Sequence, residues 1–236
     1  MEKYFYLGLD LACILGPLLF SFYPKANFSS KWKFLWPAIG VPAVLFIMWD
    51  SWFTQMGIWG FNPRYLTGLY IGNLPIEEVL FFVCIPYACI FTYEAVNHFQ
   101  KIEPLPDNGR RVTWVLIAGL LLVGLKNYDR LYTSVTCVGM GVTLAFLEVV
   151  VKARYLARFY FAYIFILIPF FLANGFLTGT GLDEPVVWYN NRENLGIRIM
   201  TIPIEDTFYG MLLILMNVSI FEYLQRKHIS KSPSTI

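Results

Sequence analysis

Residues 62–78 read NPRYLTGLYIGNLPIEE and residues 190–206 read NNRENLGIRIMTIPIED. Laid over each other without a gap, at an offset of 128 residues, they match at Asn62/Asn190, Arg64/Arg192, Gly68/Gly196, Ile71/Ile199, Pro75/Pro203, Ile76/Ile204 and Glu77/Glu205. Carboxylates also pair at Glu78/Asp206 and, further on, at Glu94/Glu222. Each stretch runs into an apolar segment that opens on a proline, which suits a first helical turn because its missing N–H costs nothing there. A polar sentence written twice implies an internal repeat.

The rest of the chain is apolar. Of its 236 residues 57% are hydrophobic, 18% aromatic and only 14% charged, and the mean hydropathy is positive. A water-soluble globule with a charged surface does not have this composition, so an integral membrane protein surrounded by lipid is expected. A net charge of +2 gives no footing for a nucleic-acid partner. Cys13, Cys84, Cys89 and Cys137 lie in apolar runs without metal-ligand spacing and read as small core residues. With His98 and His228 as the only histidines, a histidine-rich di-iron site of the hydroxylase or desaturase kind cannot be built, and no metal site is expected. The start, MEKYFYLGLDLA, has no basic region leading to a small-residue cleavage site, so the first apolar run is expected to be a retained span.

A bilayer core of about 30 Å takes about 20 apolar residues in helix. Seven such runs are expected, near 4–23, 34–50, 75–97, 112–127, 131–151, 157–177 and 203–225. The connectors near 51–74 and 178–202 carry the repeated sentence. The expected fold is therefore an all-α membrane protein of seven transmembrane helices: a three-helix repeat over 1–111, a linker helix and connector over 112–130, and a second three-helix repeat over 131–236. One span between the halves makes the repeat parallel, about an axis along the membrane normal. Twelve lysines and arginines, among them Lys25, Lys101, Arg110, Arg158 and Arg226, fall on the side of the C-terminus, against six on the other, including Lys3, Arg64, Lys126, Arg130, Arg192 and Arg198. That bias predicts a cytoplasmic C-terminus, an outside N-terminus and both polar sentences toward the outer face.

Acids entering a membrane helix are costly and are functional candidates. Glu77, Glu78, Glu205 and Asp206 are the candidate catalytic residues, because paired carboxylates in different surroundings serve as acid and base. The competing reading is helix capping, in which acids in a first turn satisfy backbone N–H groups. Successive helical residues point about 100° apart, so Glu77 and Glu78 need not serve one cavity. Arg64 and Arg192, with Asn62 and Asn190, either orient these acids or anchor their own loops. Asp50, in MWDSW, is a supporting candidate whose ordinary reading is an interfacial charge or cap at the end of helix 2. Glu94 and Glu222 lie 17 residues beyond Glu77 and Glu205, about 25 Å along a helix, too far to share a compact site; their role stays open. Asp10 and Glu148 sit in apolar runs without a repeat partner.

Seven spans, a doubled unit and the Pro-Ile-Glu-Glu and Pro-Ile-Glu-Asp helix starts resemble the small integral-membrane lycopene cyclases, in the fused form similar to the membrane half of the fungal bifunctional cyclase and phytoene synthase. The resemblance implies an isomerase that closes the ψ ends of lycopene to β rings without net redox change. It also implies a monocyclic carotenoid intermediate, association with other carotenoid enzymes and residence in a bacterial cytoplasmic membrane. Carried onto this chain, the family motif makes Glu77 and Glu205 the first candidates for the acids, with the base left open. No G-x-G-x-x-G follows a strand, so no cofactor is evident; a need for flavin or reduced nicotinamide stays open. The alternative is a small-solute transporter of the SWEET kind, which shares the helix plan but has Pro-Gln where this chain has Pro-Ile-Glu. A retinal-binding seven-helix protein would need a lysine inside the last helix, and residues 202–224 contain none.

Overall fold

The polar connectors fold as a matched pair of small β devices. In the computed structural model, which describes residues 2–24, 27–99 and 106–231, β1 (Trp59–Phe61) pairs antiparallel with β4 (Val187–Tyr189). Trp59 faces Tyr189, Gly60 faces Trp188 and Phe61 faces Val187, so residues 128 apart exchange places across the ladder and Gly60/Trp188 lies at its centre. The Trp188 ring lies so close to Gly60 that a Cβ there would meet it at 2.4 Å, which makes glycine obligatory. Next come two tight hairpins, β2 (Tyr70–Ile71) with β3 (Leu74–Pro75) and β5 (Arg198–Ile199) with β6 (Ile202–Pro203). Their backbone conformations agree even where the residues differ: Gly72 has φ 64° and its equivalent, Met200, has φ 58°. The duplicated sentence is thus a duplicated chain path.

Among the described residues the helices are α1 (Phe5–Phe20), α2 (Trp32–Gln55), α3 (Ile76–Phe99), α4 (Pro106–Lys126), α5 (Leu131–Phe146), α6 (Leu156–Leu177) and α7 (Ile204–Lys231), with a π turn, Leu147–Val151, closing α5. Among the described residues, six helical segments are long and apolar enough to cross a membrane. The expected fourth span, α4, is not one of these six; its apolar stretch over 112–125 is bracketed by Arg110, Arg111 and Lys126. Two further expectations shift. Pro75 and Pro203 end hairpin strands, and the helices begin one residue later. Helix α2 continues through Ser51–Gln55, so Asp50 sits inside it and not at its end.

Helix α1 packs on α3 and α5 on α7; α2 packs on α7 and α6 on α3; α3 and α7 touch each other, and α4 lies on α5 and α6. Apart from those of α4, these pairings come in reciprocal sets. The buried core between them is carried by large side chains such as Phe46, Phe82, Tyr87, Phe159 and Phe221. Since lipid is as apolar as leucine, such packing and interhelical hydrogen bonds, more than any expulsion from water, hold the helices together.

At the end away from the β devices, charges pair between helices, Lys31 with Glu94, Arg110 with Glu148 at 2.9 Å and Arg158 with Glu222 at 3.5 Å, and within α7 Arg226 also pairs with Glu222 at 3.5 Å. Lys25 and Lys101 lie outside the described residues.

Candidate active site

The first acids of the two helices bind their own loops. Glu77 Oε1 accepts the Thr67 N–H at 2.7 Å, and Glu205 Oε1 accepts the Leu195 N–H at 2.8 Å and the Thr133 hydroxyl at 2.6 Å. Neither lines the cavity described below, although a common cavity was expected for this pair. Both are buried, and in each the second carboxylate oxygen has no hydrogen-bond partner among the described residues.

The second acids, one helical step of about 100° further round, face inward together. Glu78 accepts the Tyr6 hydroxyl at 2.5 Å and lies within hydrogen-bonding reach of the Asp50 carboxyl. Asp50, expected at an interface, is buried to 2% exposure. The Trp59 indole N–H donates to its Oδ1, and its Oδ2 finds no donor among the described residues. Across the cavity Asp206 is saturated: Tyr132 donates to Oδ1 at 2.6 Å, while Asn174 and Tyr189 donate to Oδ2 at 2.8 and 2.9 Å. Burial, then the Asp206 charge, pushes the Tyr189 phenol well above its ordinary range, so it stays a donor.

Glu78, Asp50 and Asp206 line one end of a cavity with about 1140 Å³ of empty volume. From there it runs along single faces of three helices: Phe81, Ile85, Ala88 and Thr92 on α3; Tyr163, Ile166, Phe170 and Ala173 on α6; Tyr209, Gly210 and Leu213 on α7. The spacing of three and four residues marks one stripe per helix. Between Glu78 and Thr92 it follows roughly 21 Å of helix. At the carboxylate end the aromatic rings form a box: Trp59 lies 5.1 Å from Tyr132, 6.0 Å from Tyr209 and 6.3 Å from Tyr189, and Tyr132 lies 5.9 Å from Tyr189. The β1–β4 ladder holds Trp59 opposite Tyr189 and so sets two walls of the box at once. Such a site joins an elongated, mostly apolar slot to three carboxyl groups and four π faces, surroundings suited to a carbocation.

The remaining candidates are loop anchors or lie elsewhere. Asn62 and Asn190 each accept the N–H two residues on, from Arg64 and Arg192, at 3.1 Å. The Arg64 guanidinium pairs with Glu2 at 2.7 Å and Asp183 at 3.3 Å, and Arg192 is exposed; neither neutralises a buried acid. Glu94, Glu222 and Glu148 join the ion pairs at the far end, where Tyr93 also donates to Glu222 at 2.6 Å. Asp10 is buried in α1. The sequence reading did not single out Tyr6, Trp59, Tyr132, Asn174, Tyr189 or Tyr209. A signal existed for two of them: Tyr6 and Tyr132 occupy corresponding turns near the starts of α1 and α5, and each donates to the second acid of its own half.

The lycopene cyclase family model matches residues 3–96 and 129–224, one segment around each polar stretch. The bifunctional lycopene cyclase/phytoene synthase of Aspergillus niger is 36% identical over 77 residues, which cover 30% of this chain and 13% of that protein. No solved structure matches the chain. With most of its length, and both copies of its polar motif, inside the family match, the chain belongs to the lycopene cyclase family.

Proposed function

We propose that this chain is a lycopene β-cyclase that closes the ψ ends of lycopene to β rings, giving a monocyclic and then a bicyclic carotene. The observation that carries the reading is the convergence of Asp50, Glu78 and Asp206 at the aromatic end of one elongated apolar cavity. Asp50 and Glu78 are two acceptors in contact, an arrangement satisfied only when a proton lies between them. That proton is the initiating acid. Asp206 accepts three hydrogen bonds and has no oxygen left that must donate, so its network is satisfied by a carboxylate, the form required of the base.

The proton adds to C2 of the ψ end and leaves a tertiary cation at C1. The C5=C6 double bond attacks C1, forming the C1–C6 bond and moving the charge to C5. Asp206 then takes the C6 proton and the C5=C6 double bond of the β ring results. One proton is consumed and one released, with no net redox change. Return of the proton from Asp206 to the Asp50/Glu78 pair resets the site, and Tyr209 lines the same cavity as the three acids. The aromatic box stabilises the cation, and the apolar walls keep water from quenching it. Glu77 and Glu205 hold the loops that place Glu78 and Asp206.

The reading includes a topology in which α4 also spans the membrane, as the linker over 112–130 between parallel units at 1–111 and 131–236. The N-terminus then lies outside and the C-terminus in the cytoplasm. The duplicated hairpins and reciprocal helix contacts support it. Expression in lycopene-accumulating cells, with pigment separation, tests the activity. β-Ring carotenes carrying solvent deuterium at C2 are expected when unlabelled lycopene is turned over in D₂O. Unchanged lycopene beside well-inserted protein, in cells where an authentic cyclase is active, would overturn the proposal.

A further inference from the structure

The two halves match in path but differ in what fills them. Position 210 on α7 corresponds to 82 on α3 at the 128-residue offset that aligns the loops leading into both helices. Gly210 leaves the cavity open: a Cβ there would already come within 3.3 Å of the Phe170 ring. Phe82 does the reverse. Its fully buried ring lies 6.1 Å from Phe46, which in turn lies 5.4 Å from Trp49 and 5.1 Å from Tyr209. These four rings occupy the space between α2, α3 and α7 where the counterpart of the cavity would lie. The acids diverge in the same sense. Glu78 is joined by Asp50 while Asp206 is joined by Asn174, so each half supplies a different part of one acid–base set.

We infer that the duplicated chain holds a single ring-closing chamber and that both ends of the linear carotenoid are closed there in turn, with Gly210 as the residue that keeps the chamber open and Phe82 as the one that seals its counterpart. This rests on the cyclase reading. After the first closure the monocyclic carotenoid withdraws its new ring and returns with the remaining ψ end first. A two-chamber enzyme, one active centre per half, would treat the two ends at different places.

The test uses purified full-length protein in liposomes, offered either lycopene or the monocyclic carotene, with initial rates measured separately. Gly210→Phe should depress both closures in the same proportion, while Phe82→Ala changes neither by more than a few-fold. Asp206→Asn, which leaves the cavity volume nearly unchanged and guards against misfolding of the bulkier variant, should lower both closures together by at least about 10²-fold. A Gly210→Phe or Asp206→Asn protein that still forms the monocyclic carotene at the wild-type rate and stops there would overturn the single chamber. If wild-type protein converts neither substrate, the cyclase reading itself falls.

Discussion

Glu78 and Asp206 begin equivalent helices after equivalent hairpins, and each receives a tyrosine hydroxyl from the helix that opens its own half, Tyr6 at 2.5 Å and Tyr132 at 2.6 Å. They part at the next neighbour. A second carboxyl stands beside Glu78, and two neutral donors, Asn174 and Tyr189, stand beside Asp206. Two acids at equivalent helix starts thus have chemically unlike surroundings. That is the physical condition for one carboxyl group to carry a proton while its counterpart accepts one.

The comparison is broken most severely by removing the companion acid. Asp50→Asn keeps an acceptor for Trp59 but removes the shared proton, and should slow ring closure by about 10² to 10⁴-fold in liposome assays. A rate near wild type would mean that Glu78 needs no partner, and the asymmetry between the halves would lose its chemical meaning. Smaller effects are expected at the donors. Tyr132→Phe and Tyr189→Phe each take one hydrogen bond from the Asp206 carboxylate, worth about 1.5 to 3 kcal/mol, and each should lower the rate by one to two orders of magnitude without altering the abundance of inserted protein. Glu205→Ala should lower stability in detergent by about 1.5 to 3 kcal/mol, and by more than Glu77→Ala, since Glu205 holds two donors and Glu77 one. Asn62→Ala and Asn190→Ala should come last and nearly equal, about 1 kcal/mol each, with Asn62 slightly the larger because it also binds Glu184. Unequal losses there would show that the loops are less alike in energy than in backbone path.

Much of this plan was legible in the residues. The gapless offset predicted equivalent loops, and the hairpins follow it down to the positive φ at Gly72 and Met200. The apolar runs located the helices, six of them long and apolar enough to cross a membrane among the described residues. All four acids at the helix starts are buried, but which of them line the cavity was not legible. Glu77 and Glu205 are the first candidates through the family motif, yet the identical pair accepts loop N–H groups. The pair that differs, Glu78 and Asp206, faces the cavity. Asp50 was read as interfacial because the apolar run was ended at residue 50, whereas the helix continues to Gln55 and carries that side chain into the interior. Trp59 and Tyr189 reach the site only through the β1–β4 ladder, a contact between strands of residues far apart in sequence that no local pattern encodes.

The neighbours at 205 and 206 separate the account from its nearest rival most directly. Single-turnover ring closure should be measured on liposomes loaded with lycopene, comparing Glu205→Gln with Asp206→Asn at matched amounts of inserted protein. Glu205→Gln, whose amide oxygen still accepts from Leu195 and Thr133, should close rings within a few-fold of wild type. Asp206→Asn should lose at least about 10²-fold. The reverse order, with Glu205→Gln inactive and Asp206→Asn competent, would contradict the placement of the chemistry in this cavity.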